Sequence, residues 1–164
     1  MDITAAAKGL GVSSEAVELF VACEPIDLHI DSFIWRRVFG YDLERPHRGG
    51  FFGRRFFGHA DFPTAIESGL AGATWVITTN PLRTSSGRKR AFDKNLRVLR
   101  SLLEQADGIR HVRTAAEYRA ARDAGEHGAF IGIQGGNALD HGIDALDLIA
   151  DGSVLRVTLV HLTS

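Results

Sequence analysis

Apolar and ionisable residues alternate through residues 25–31 (PIDLHID), the pattern of a strand with Ile26, Leu28 and Ile30 on one face and Asp27, His29 and Asp31 on the other. An antiparallel strand with one wet face would give the same alternation, so the rest of the chain decides. Upstream, Ser13 or Ser14 caps a short helix over EAVELFVA. Residues 32–60 show no clean period and are rich in Gly, Arg and Phe, which reads as a long lid-type connection. DFPTAIESGLAG predicts a short helix with Asp61 as cap, Pro63 in its first turn and Gly69 past its end. ATWVITTN predicts a strand, and Leu96, Leu99, Leu102, Leu103 and Ala106 recur at helical spacing across residues 91–108. A short strand IRHV and a helix TAAEYRAARDAGE capped by Thr114 follow. The strand AFIGIQGG, the helix ALDHGIDALDLIADG and the strand VLRVTLVHLTS complete the pattern. Strands thus alternate with helices, and the later strands carry Val, Ile and Leu on both faces, the mark of βα units around a parallel sheet. Asp27, His29 and Asp31 are then expected on a buried or barrel-lining face, where charge needs compensation.

Composition narrows the classes. The 164 residues are 45% hydrophobic, and 19 basic side chains nearly balance 20 acidic ones for a net charge of -1. That is the make-up of one ordinary globular domain, residues 1–164, and it argues against a general nucleic-acid or membrane-surface binder. The single cysteine, Cys23, forms no intrachain disulfide, which implies a reducing compartment. The acidic, polar N-terminus lacks the form of a signal peptide, and no apolar run approaches the ~20 residues of a spanning helix. The expectation is a cytoplasmic protein. RPHRGGFFGRRFFGHA interleaves Arg with Phe as single-stranded nucleic-acid binders do. The run is short, however, and its place after the first strand suits a lid over a barrel mouth.

Ligands of parallel α/β sheets and barrels bind beyond the carboxyl ends of the strands. At those ends the sequence puts His29 and Asp31, Thr79 and Asn80, Gln134, and His161. His29 and Asp31, two positions apart, suit a divalent metal held by an imidazole nitrogen and a carboxylate oxygen, although such pairs also form structural hydrogen bonds. His161 reads as a hydrogen-bonded strand-end histidine or an oxyanion holder. Gln134 reads as a structural amide or a metal contact. Asp27 either orients a ligand from behind or is an anion satisfied by backbone N–H groups.

The stretches IDLHIDSF, GHADFPTAIESGLAGATWVITTNP, AFIGIQGGNALD and VLRVTLVHLTS, in this order and at this spacing from Pro25 onward, resemble the membrane (renal) dipeptidase-like peptidases of the amidohydrolase superfamily. The resemblance implies a (β/α)8 TIM-type barrel and a zinc hydrolase that cleaves dipeptides. It implies His29 and Asp31 as ligands of a first zinc, Gln134 where the family bridges two zincs with a glutamate, and His161 as the histidine that holds the oxygen of the scissile group. Two departures follow. A carboxamide at Gln134 offers an oxygen but no charge to separate two dications, so one metal, or a weak second, is expected. A whole barrel takes ~250 residues, and the family's remaining ligands lie on later strands. The chain then supplies about the first half of a barrel, completed by the remainder of a longer protein or by an oligomer partner. The alternatives to a zinc dipeptidase are a non-catalytic binding relative and a one-metal hydrolase of another amide or ester.

Overall fold

The computed structural model describes residues 2–47 and 60–162. Two short helices open the chain, α1 (Ile3–Leu10), capped by the Asp2 carboxylate and ended by the left-handed Gly11, and α2 (Ser14–Ala22), capped by Ser13. Then come β1 (Ile26–Ile30), α3 (Phe33–Phe39), α4 (Phe62–Glu67), β2 (Gly72–Thr78) and α5 (Ser85–Gln105). They are followed by β3 (Ile109–His111), α6 (Ala115–Asp123), β4 (His127–Gln134), two 3-10 turns over Gly136–Leu139 and Ile143–Ile149, and β5 (Arg156–Thr158). Every strand pairing is parallel, as the alternation of strands and helices requires.

The sheet runs β1-β2-β4, and both β3 and β5 lie on the far edge of β4, β3 against its start and β5 against its end. With β3 set aside, β1, β2, β4 and β5 follow one another in chain order, the sequence of neighbours in the first half of a (β/α)8 barrel. One face is covered by helices. Trp75, Ile77, Ile131 and Ile133 pack there against Phe92, Leu96, Leu99 and Leu103 of α5, and Phe62 of α4 meets Trp75 edge-on at 4.8 Å. Amphipathic spacing in α5 is what lets a helix with so polar an outer side seal this face.

By alternation the opposite face carries Thr74, Val76 and Thr78 on β2 and Gly128, Phe130, Gly132 and Gln134 on β4. Its lower end is closed by Tyr118 of α6, which stacks on Phe130 at 5.7 Å. A Cβ at Gly128 would stand 2.5 Å from Tyr118 Cδ2, so glycine is what admits the ring.

Several expectations are revised. The long α helix begins at Ser85, because Thr84 accepts the Gly87 N–H and starts it before its apolar stripe appears. The segment expected as a helix over 138–152 forms 3-10 turns instead: Arg88 Nε takes the Asn137 carbonyl, and Gly142 interrupts the run at φ 151°. The final strand is confined to Arg156–Thr158. Helices α1 and α3 were not expected. Residues 48–59 of the Arg- and Phe-rich lid segment lie outside the described residues, but the flanks of this stretch are tied together. The Asp61 carboxylate accepts the N–H of His47 (2.9 Å) and of Thr64 (2.8 Å). Among the described residues, no helix is long and apolar enough to cross a membrane.

Candidate active site at the carboxyl rim of the sheet

Strand β1 does not keep the alternation its sequence predicts. Asp27 pairs with Ala73 but Ile30 pairs with Trp75, so one extra residue of β1 is accommodated between them. Ala73 and Trp75 share the helix-covered face, which sets Asp27 in register with that face while His29 and Asp31 flank Ile30 on the other. Asp27 Oδ1 accepts the backbone N–H of His29 at 2.8 Å, a local turn that stabilises the bulge and so fixes where His29 emerges. His29 is exposed and Asp31 half-buried.

Three strands converge on one hydrogen-bonded chain. Thr78 Oγ1, at the end of β2, donates to Asp31 Oδ1 and lies 3.1 Å from Gln134 Oε1 at the end of β4. A hydroxyl has one proton, so both contacts are satisfied when Thr78 donates to the carboxylate and the Gln134 amide turns its NH2 toward the hydroxyl. A glutamate at position 134 would instead bring a second carboxylate to a hydroxyl already committed to the first. The neutral amide fits the observed network.

His29 meets β5. Its Nδ1 accepts from the Arg156 guanidinium at 2.8 Å, which leaves the proton of the neutral ring on Nε2. His161, just past β5, is partly buried, and its Nδ1 has no hydrogen-bond partner among the described residues. Arg37 of α3 closes the rim from the side by donating to the Thr78 carbonyl. Burial, followed by the charge of Arg83, pushes its guanidinium below the usual arginine range, and Asp31 pulls it back up.

The residues expected at this rim therefore occupy it unequally. Asp31 and Gln134 are joined through Thr78, whereas His29 is bonded to Arg156 and His161 to neither. Thr79 and Asn80 serve the backbone: Thr79 Oγ1 donates to the Gly135 carbonyl at 3.0 Å, and Asn80 Oδ1 caps the Leu82 N–H at 2.9 Å. Thr78 and Arg156 were missed by sequence reasoning. Both had a signal, since Thr78 has the same strand parity as Thr74 and Arg156 is a charge inside an apolar strand.

As a cation site the rim is half a site. Catalytic zinc takes about three protein ligands, and among the described residues no three His, Cys, Asp or Glu side chains stand close enough to hold an ion. Asp31 keeps one carboxylate oxygen outside the Thr78 bond. His29 becomes a ligand only when Arg156 releases Nδ1 or the ring proton moves from Nε2. His29 and Asp31 would supply at most two donors, fewer than a catalytic zinc takes.

Comparison with known proteins bears on the fold and the family. A dipeptidase AC, described as a metallopeptidase of family M19, superposes with a TM-score of 0.63 at 22% identity, over 85% of this chain and 43% of that one. An amidohydrolase from Pseudomonas aeruginosa superposes with a TM-score of 0.53 at 20% identity, over 63% of this chain and 30% of that one. The chain thus spans less than half the length of either structure, and its sheet has the fold of part of their α/β barrels. A search of curated proteins gave no match. Residues 13–164 match the membrane dipeptidase family, peptidase family M19, and the chain belongs to that family.

Proposed function

We propose that this chain, as one part of a single barrel domain, contributes the first half of a metal-dependent dipeptidase, with His29 and Asp31 supplying two ligands to one zinc ion. The observation that carries the reading is the convergence of Asp31, Thr78 and Gln134 from three adjacent strand ends, with His29 beside them on β1. A bound zinc would supply the chemistry of a water whose pKa falls to about 7. The chain's own residues do the rest. Thr78 orients the Asp31 carboxylate, Asp27 fixes the backbone that presents His29, and Gln134 adds an oxygen without charge, which favours one dication over two. His161, at the position of the family's oxygen-holding histidine, would hold the oxygen on which charge develops during attack on a dipeptide bond, through Nε2 because Nδ1 is buried.

The sheet is open at both ends in a way that supports an incomplete barrel. Leu28 on β1 is 65% exposed, and Leu159 and Val160 beyond β5 are 79% and 65% exposed. The rest of a longer chain or a second subunit would cover them. A non-catalytic binding role is the second reading, favoured by one specific observation: Arg156 and Thr78 already satisfy His29 and Asp31 with protein donors.

The test is turnover of simple dipeptides by the zinc-supplemented complete barrel, this chain together with whatever closes its sheet, alongside its His161→Asn variant. The dipeptidase reading expects turnover that falls ~100-fold or more in the variant while bound zinc is unchanged. Zinc bound in full with no turnover in the unmodified protein would establish the binding role instead.

A further inference from the structure

The groove between α3 and α5, beside the end of β2, has a volume of about 870 Å³, the size of a small-molecule site. Its lining holds four cationic side chains, Arg36 and Arg37 from α3, Arg83 from the loop after β2, and Lys94 from α5. Among the described residues, no aspartate or glutamate lines it, and none of the four cations is ion-paired. Several other cations are ion-paired, although Lys8, Arg90, Arg119 and Arg156 have no acidic partner among the described residues either. On α5 itself Arg88 pairs with Asp140, Lys89 with Asp144, Arg97 with Asp93 and Arg100 with Asp151. The protein's net charge is -1, so four cations gathered in one groove are a local feature and not the expression of a basic surface. Arg37 is held in place by its bond to the Thr78 carbonyl, and that bond uses one of five guanidinium donors. Between the cations the walls are apolar, with Phe33, Ile34, Val98 and Leu82 among them.

We propose that this groove is an anion site for a small molecule that carries a carboxylate or phosphate on an apolar body. Three cations without an acidic partner among the described residues, together with Arg37, which feels Asp31, match a charged head group, and the hydrocarbon walls match the body behind it. The site adjoins the metal ligands proposed at the rim, and Arg37, Thr78, Thr79 and Asn80 belong to both, but it does not depend on the protein being a dipeptidase.

The test is calorimetric titration of the purified protein with phenyl phosphate, phenylacetate and, as the neutral analogue, benzyl alcohol. Arg83→Glu and Lys94→Glu are the site variants, because both side chains are exposed and neither holds the fold together. Lys8→Glu on α1 makes the same change in net charge far from the groove. The proposal expects saturable one-to-one binding of at least one anion, with benzyl alcohol at least about tenfold weaker. It expects each site variant to weaken the anion about fivefold or more while Lys8→Glu leaves it unchanged. The better anion identifies the head group as phosphate or carboxylate. Binding of neither anion, equal binding of benzyl alcohol, or an equal effect of Lys8→Glu would overturn it. A variant-independent anion signal would likewise place the anion elsewhere, including at a metal on the rim.

Discussion

Replacing Thr78 by valine removes one hydroxyl and nothing else of comparable size, and the structure says what that hydroxyl does. It donates to the Asp31 carboxylate and lies 3.1 Å from Gln134 Oε1, and at 7% exposure its position leaves little room for water to substitute. A hydrogen bond to a charged group contributes ~1.5–3 kcal/mol; since Asp31 and Gln134 are only half-buried and can be rehydrated, the low end applies, about 1.5 kcal/mol. Urea unfolding should therefore show the midpoint of Thr78→Val lowered by roughly 0.5–1 M at unchanged slope. Thr78→Ser keeps the hydroxyl and loses a methyl group, so it separates the bond from the packing. If Thr78 also orients Asp31 toward an ion, zinc affinity falls ~10–100-fold in Thr78→Val and much less in Thr78→Ser. A stability loss in Thr78→Ser with none in Thr78→Val would mean the methyl and not the hydroxyl matters, and the rim network would lose its energetic basis.

The packing of α6 on the sheet yields a second prediction. Gly128→Ala should cost about 1–3 kcal/mol through collision with the Tyr118 ring and be relieved by adding Tyr118→Ala. Gly72→Ala should not be relieved, because its Cβ would stand 2.7 Å from the Gly128 carbonyl oxygen, which cannot rotate away; double-mutant cycles by urea unfolding decide this. A third concerns pH. Burial pushes the His127 imidazole below its usual pKa, against the weaker pull of its bond to the Leu70 carbonyl. The unfolded chain therefore takes up the proton first, and stability present above pH ~6.5 declines as pH falls through that value, by at most about 1.4 kcal/mol per pH unit for one histidine. Unfolding measured at pH 7.5 and 5.5 should show this loss reduced in His127→Gln, and an unreduced loss would assign it to other groups.

Much of the fold was legible because it rests on local rules. Thr114, Asp61 and Ser13 cap helices as side-chain oxygens at helix starts do, and the apolar stripe from Leu96 to Leu103 predicted the face that seals the sheet. What was not legible depends on contacts distant in sequence. The bulge in β1 appears only in its register against β2, and it is what separates Asp27 from His29 and Asp31. The segment after Gln134 has helical spacing, but Arg88 draws its Asn137 carbonyl away and the expected helix gives way to 3-10 turns. At the rim, residue types at strand ends pointed to His29, Asp31, Gln134 and His161. Thr78, which links two of them, looked like one more β-branched residue in a strand.

In the proposed function, His29 and Asp31 form the protein's half of a single-zinc site whose second position is weakened by the neutral Gln134. Equilibrium zinc titration of the complete protein, repeated on Asp31→Asn and Gln134→Glu, measures it most directly. The account predicts one tight ion in the unmodified protein, its loss in Asp31→Asn, and tighter or additional uptake in Gln134→Glu. Zinc binding that is indifferent to Asp31→Asn, or a count and affinity unmoved by Gln134→Glu, would contradict it.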